Sequence, residues 1–337
     1  MEKKKKPGRL LSRPQIFFYI LSALIFIFVA YYFTEIKKDI KLFGKINPYW
    51  LALAFLGQLC TYLFGAIIYQ QLLHVFHIKL RREIWNLFQV SIVTLFFNQT
   101  VPSAGISGNA FFFDFLHKRK APVNHILSLI SIELLSFYAA MEIIIVVTVI
   151  LSLFLFRIPT SFLIVLCAGF LVYLTFGLAV EFLSRKHTIS SVYKKIESVK
   201  LFRKLVDKFR KSFPANTDIE NPSQFFLKHK TIVLKATFLQ LCLFFADAIT
   251  IFALFRGLDI PVIIYLVPVG FILTKIISLL PFSPGALILY EGSMAFFFSK
   301  LGVRVGSAAI VTLLYRALSF WLPILLGFFL YKKLQKE

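Results

Sequence analysis

Charge is scarce in this chain: only 16% of its 337 residues are Asp, Glu, Lys or Arg, and acidic residues number 16 in all. A water-soluble domain carries about 25% charged residues, so a single water-facing globule is excluded. Cysteine occurs three times, at Cys60, Cys167 and Cys242, each inside an apolar run, which excludes a disulfide framework. The sequence also lacks a Gly-x-x-x-x-Gly-Lys phosphate loop, Cys/His metal spacing, a Gly-x-Ser-x-Gly elbow and an Asp-x-Asp pair. No polar stretch is long enough for a catalytic domain, so no enzyme activity, cofactor or metal is expected.

What is present is apolar. Hydrophobic residues make up 58% of the chain, phenylalanine alone contributes 41, and the mean hydropathy is +0.79. At about 20 residues per span this allows at most about ten membrane crossings. Runs of suitable length lie at 16–33, 49–73, 84–101, 125–156, 161–183, 231–255, 261–280 and 305–331. Shorter runs at 102–117 and 281–300 open on Pro, Ser and Gly, which predicts broken or re-entrant helices. The expected fold is therefore all-α, a polytopic membrane helix bundle of about eight long helices plus two broken segments, in one membrane domain over 1–337.

The net charge of +22 comes from 38 Lys and Arg against 16 Asp and Glu. These basic residues sit between apolar runs, not on a soluble basic face, so nucleic acid is not the expected partner. They read instead as orientation signals. Lys3, Lys4, Lys5, Lys6, Arg9 and Arg13 precede the first run, which ends Tyr31-Tyr32-Phe33 with no small-residue cleavage site and is read as a retained helix. The segment 184–230 holds twelve Lys and Arg against four Asp and Glu, and its apolar positions Val192, Ile196, Val199, Val206, Phe209 and Phe213 recur near helical spacing. A basic amphipathic helix on the inner leaflet is expected there. Both termini are then cytoplasmic in a cell inner membrane, although Lys37, Lys38, Lys41 and Lys45 in 34–48 run against that orientation.

Displaced by 182 residues, the chain matches itself without gaps. Gln58-Leu59-Cys60 falls on Gln240-Leu241-Cys242, Pro102 on Pro284, Ala104 on Ala286 and Ile106 on Ile288. This predicts a duplication, 49–156 as one repeat and 231–331 as the other. With the basic loop between them, the copies run in opposite senses, the inverted plan of many transporters.

Two kinds of residue stand out as candidates for function. The broken segments read Asn98-Gln99-Thr100-Val101-Pro102-Ser103-Ala104-Gly105-Ile106-Ser107-Gly108 and Pro281-Phe282-Ser283-Pro284-Gly285-Ala286-Leu287-Ile288-Leu289-Tyr290-Glu291. Ser283-Pro284 suits the first positions of a helix, and helix starts at membrane depth expose amide donors that a lipid phosphate could meet. Ionisable residues inside apolar runs are the second kind: Asp114, Glu133, Glu142, Glu181, Asp247, Lys275, Glu291 and Arg316. Each costs about 2.5–3.5 kcal/mol at a helix centre, so the deeper ones are expected to face the protein interior. Asp114 and Glu181 sit near run ends, within reach of headgroups. The 182-residue offset sets Glu133 beside Arg316, which predicts an acid and a base meeting at one central site, as a substrate contact or as a structural ion pair.

The ordered set Asn98, Pro102-Ser103, Gly105, then Pro284-Gly285-Ala286 with Glu291-Gly292, then Leu301-Gly302-Val303, Leu314-Tyr315-Arg316, Trp321 and Pro323 resembles the lysylphosphatidylglycerol synthase transmembrane family, also described as the flippase-like domain family. The resemblance runs over about 15–331. The family's second motif reads close to Pro-Gly-Gly-(Leu/Ile)-Gly followed by Glu. Here Ala286 and Ile288 replace two of its glycines, and Gly105-Ile106-Ser107-Gly108 stands for the usual Gly-Gly. The aminoacyl-transfer domain some relatives carry is expected to be absent, since the chain ends six residues past Tyr331.

The resemblance implies a bundle that moves polar-headed lipids between leaflets, with membrane lipids as partners: an anionic phospholipid or a lipid-linked headgroup. Homo-oligomerisation is left open. Substrate-binding candidates are Asn98, Pro102, Ser103, Gly105, Gly108, Glu133, Asp247, Lys275, Ser283, Pro284, Gly285, Glu291, Tyr315 and Arg316. Alternatives are a non-transporting partner subunit of a lipid-modifying or glycosyl-transfer enzyme, docking through the basic segment, and an ion-coupled carrier of a small solute.

Overall fold

The chain is described by a computed structural model covering residues 46–76, 78, 83–100, 106–154, 158–183, 230–279, 286 and 289–334. The run 16–33, the basic segment 184–229, and Pro102, Ser103, Gly105, Ser283, Pro284 and Gly285 lie outside the described residues. Among the described residues all regular structure is helical, in nine helices: α1 Pro48–Val75, α2 Glu83–Thr100, α3 Ile106–Lys118, α4 Val123–Phe154, α5 Thr160–Leu183, α6 Lys230–Gly257, α7 Leu266–Ser278, α8 Leu289–Lys300 and α9 Val305–Leu334. The last is interrupted by a π-helical turn over Ala317–Trp321.

Five of these, α1, α4, α5, α6 and α9, are long and apolar enough to cross a membrane. Their outer faces carry large apolar groups that no described residue covers: Phe238 is 63% exposed and Phe329 68%. Their inner faces bury Gln58, Gln240, Thr250, Thr312 and Ser136. Apolar outside and polar inside is the pattern lipid imposes, and the chain is a multi-pass helical membrane protein.

One run expected to be long is shorter as a helix. The run 84–101 forms α2 at its full 18 residues, but the run 261–280 forms only α7, 13 residues. At 1.5 Å per residue α7 is about 20 Å long, too short for a hydrocarbon core of about 30 Å. The reason lies in the partners. Helices α2 and α3 fold back on one another as a hairpin, and so do α7 and α8, so neither limb has to cross alone.

The hairpins enter from opposite ends of the bundle. At one end the C-terminus of α1 (Leu72, Leu73), the start of α2 (Leu87), the end of α3 (Phe115, Leu116), the start of α6 (Val233) and the end of α9 (Leu334) share one apolar cluster. At the other, the start of α1 (Ala54), the end of α6 (Leu254, Phe255), the start of α7 (Val267), the end of α8 (Phe298) and the start of α9 (Ala308) share a second. The end of α2 and start of α3, and the end of α7 and start of α8, therefore lie toward the middle of the bundle.

Between them α1 and α6 cross antiparallel as the central pair. The Asn47 amide donates to the Gly257 carbonyl at 2.8 Å, and Thr250 Oγ1 donates to the Ala54 carbonyl at 3.3 Å. A Cβ on Gly57 would fall 2.6 Å from Thr250 Oγ1, so the close approach of the two helices requires glycine there.

A paired-charge centre between the hairpin tips

The second hairpin carries the charges. Lys275 lies one turn before the end of α7, Glu291 in the first turn of α8, Asp247 midway along α6, and Arg316 just before the π turn of α9. Arg316 Nε donates to Glu291 Oε1 at 2.6 Å, and Lys275 Nζ stands 3.9 Å from Asp247 Oδ2. Arg316 is 6% exposed and Asp247 4%, so one member of each pair is buried, while the side chains of Lys275 and Glu291 are 29% and 22% exposed. Pairing is what permits four charges at this depth, because an isolated ion in an apolar interior would not stay charged.

Aromatic rings join the two pairs. Lys275 Nζ lies 4.9 Å from the centroid of Phe271, which meets Tyr315 edge-on at 5.8 Å; Tyr315 stacks on Tyr290 at 6.2 Å. The Arg316 guanidinium sits between Tyr290 and Phe320, 4.6 Å and 4.1 Å from their centroids. Ring faces add cation attraction that strengthens where water is excluded. From the first half, Thr61 Oγ1 donates to Asp247 Oδ1 at 3.2 Å, and Gln58 approaches the same carboxylate. The centre thus holds two cations and two anions.

The first hairpin is built differently. Asn98, at the end of α2, accepts the amide of Gly108 in the first turn of α3 at 2.7 Å, while Ser107 Oγ donates to the Phe97 carbonyl at 2.8 Å. These bonds close the hairpin, and the protein itself supplies the acceptor that an open helix start would otherwise seek from a ligand. Gly108 has no room for a side chain: a Cβ there would lie 2.6 Å from the Thr94 carbonyl.

Of the sequence candidates, Asp247, Lys275, Glu291, Tyr315 and Arg316 come together, and Asn98 with Gly108 forms the latch. Glu133 does not join Arg316. Its electrostatic neighbours are Tyr69 and Tyr138, and the acid that Arg316 meets is Glu291. Linear displacement aligns sequence neighbours, but the side chain of Arg316 turns toward the second hairpin and that of Glu133 belongs to the first half. Asp114, expected near headgroups, forms an exposed pair with Lys118 at 2.7 Å.

Sequence reasoning missed Tyr62, Thr61, Gln99, Tyr290 and Phe320. Gln99 stood in view beside Asn98. Tyr62 and Thr61 carry no signal in a run of apolar residues.

The family described as the lysylphosphatidylglycerol synthase transmembrane region matches residues 16–327. A curated relative, a UPF0104 membrane protein of Methanothermobacter thermautotrophicus, is 24% identical over 110 residues, which is 33% of this chain and 32% of the relative. With nearly the whole bundle matched, both hairpins and the charged centre included, the chain belongs to the lysylphosphatidylglycerol synthase transmembrane-region family.

Proposed function

We propose that the protein is a lipid flippase-like transporter that moves a polar- or anionic-headed lipid between leaflets. The observation that carries this reading is the partly buried double ion pair among α6, α7, α8 and α9, Asp247 with Lys275 and Glu291 with Arg316. Charges at membrane depth mark substrate or ion pathways, and discontinuous helices meeting mid-bundle are the way transporters build such a place. In this reading Lys275 and Arg316 exchange their carboxylates for a headgroup phosphate, while the acyl chains stay along the phenylalanine-rich exterior.

The inverted duplication supports it. Displacing α1, Pro48–Val75, by 182 residues gives the bounds of α6, Lys230–Gly257. The same step carries the end of α3 at Lys118 to the end of α8 at Lys300, and the start of α4 at Val123 to the start of α9 at Val305. Equivalent helices α1 and α6 run antiparallel, as a two-fold axis in the membrane plane requires. The two hairpins are then re-entrant, one from each leaflet.

Orientation follows from charge. Among the described residues, one end of the bundle carries Lys118, Arg119, Lys120, Lys230, Lys235, Lys332 and Lys333; the other carries Arg256, Lys300 and Arg304. The richer end is assigned to the cytoplasm of a cell inner membrane, with the basic segment 184–229 and the C-terminus on that side.

The test is transfer of tail-labelled phosphatidylglycerol across proteoliposomes, followed by quenching from outside. The parent is expected to move the label, and Glu291→Gln and Arg316→Ala to slow it at least about tenfold. Transfer at the parent rate by both variants would sink the site assignment.

A further inference from the structure

The π turn of α9 lies immediately after Arg316, and its carbonyls are not left to the helix. Tyr62 Oη donates to the Leu318 carbonyl at 2.7 Å, and Gln99 Nε2 donates to the Ser319 carbonyl at 2.8 Å. Both donors come from the first half of the chain: Tyr62 from the middle of α1, its ring 1% exposed, and Gln99 from the tip of the first hairpin, next to Asn98.

A π turn inserts one residue into the helical phase, so the residues on its two sides are rotated about 100° relative to an unbroken α-helix. Downstream of the turn α9 is fixed against α2, where Gly327 lies so close to Phe96 that a Cβ would collide with it. Upstream lies Arg316. With the downstream part anchored, the direction of the guanidinium depends on whether the extra residue stays in the turn. Pro323 has no N–H for the Ser319 carbonyl four residues before it, and the Leu322 N–H goes to the Ala317 carbonyl; an unmet carbonyl at membrane depth is costly, and the two outside donors offset that cost.

We infer that Gln99 and Tyr62 are positioning residues for Arg316: by holding the Leu318 and Ser319 carbonyls they keep the π turn in place, and the turn aims the guanidinium at Glu291. Consecutive turns of one helix then bind the tip of the first hairpin, through Gln99, and the tip of the second, through Glu291. The first half of the molecule, which carries none of the four central ion-pair charges, sets the geometry of the charged centre in the second.

For transport the inference rests on the lipid-moving reading above, but its first test does not. In the protein reconstituted in nanodiscs, thermal stability is measured for Glu291→Gln, Arg316→Gln and the double variant. The three are repeated with Gln99→Met, which keeps the side-chain length and removes the donor, and with Tyr62→Phe. In the parent the two charge substitutions are expected to be strongly non-additive, and in Gln99→Met or Tyr62→Phe close to additive. Non-additivity unchanged in both backgrounds would overturn the assignment, whatever the lipid assay reads. Two backgrounds are used so that failure of one to fold leaves the other.

The second test is lipid transfer, which Gln99→Met and Tyr62→Phe are each expected to slow about tenfold, the worth of one buried hydrogen bond. A parent that moves no lipid while the stability cycle collapses as expected would remove the transport reading and leave the positioning role standing. Parent-rate transfer by both variants would overturn the role in transport.

Discussion

The two hairpins share a plan and differ in content. Helices α2 and α3 turn around a neutral latch in which Asn98 and Ser107 join the limbs, whereas α7 and α8 bring Lys275 and Glu291 to two ion pairs with their neighbours. The first hairpin turns Asn98 and Ser107 on itself and reaches the bundle through Gln99, a neutral donor, whereas the second presents charge to the bundle. The same plan thus carries neutral hydrogen bonds in one half and ion pairs in the other, and only side chains separate the two.

The sharpest break of that comparison is Arg316→Ala. It takes the guanidinium from Glu291, whose side chain is 22% exposed, and is expected to cost about 3 kcal/mol of stability, read by thermal unfolding in nanodiscs, together with nearly all lipid transfer. Lys275→Met comes next. The Lys275–Asp247 contact is looser, at 3.9 Å, and Thr61 still donates to the carboxylate, so roughly 2 kcal/mol is expected, partly restored by adding Asp247→Asn.

In the first hairpin the expected losses concern stability. Gly108→Ala forces a methyl against the Thr94 carbonyl and is expected to cost about 1–3 kcal/mol, and Asn98→Ala about 1 kcal/mol. Lipid transfer per folded molecule should stay near the parent value in Asn98→Ala. A tenfold loss of transfer at unchanged folded fraction would mean that the first tip also meets the substrate.

Smallest is Glu133→Gln, which has no ion pair among the described residues to lose. Stability is expected to move by no more than about 0.5 kcal/mol, with transfer close to the parent. Abolished transfer in this variant would place a second charged centre in the first half and end the division of labour between the hairpins.

Much of this was legible before any coordinates. Long apolar runs gave α1, α4, α5, α6 and α9 to within a few residues, because a helix that must satisfy its own backbone in lipid has to be continuous and apolar. The cost of burying charge likewise picked out Asp247, Lys275, Glu291 and Arg316. Partners were less legible. The 182-residue offset set Glu133 beside Arg316, but the acid it meets is Glu291, since sequence offset carries no information on which way a side chain turns.

Composition by itself thus determined that this chain lives in a membrane as a helical bundle, and its few buried charges determined which residues were costly enough to need partners. The tertiary structure alone decided how those charges pair, that α7 stops short of a crossing, and that a π turn sits beside Arg316 with Tyr62 and Gln99 on its carbonyls. The reason is physical. Hydropathy is a property of each residue and adds along the chain, while ion pairing depends on which way side chains of different helices turn, and the π turn is held by Tyr62 and Gln99, 256 and 220 residues from the carbonyls that folding brings to them.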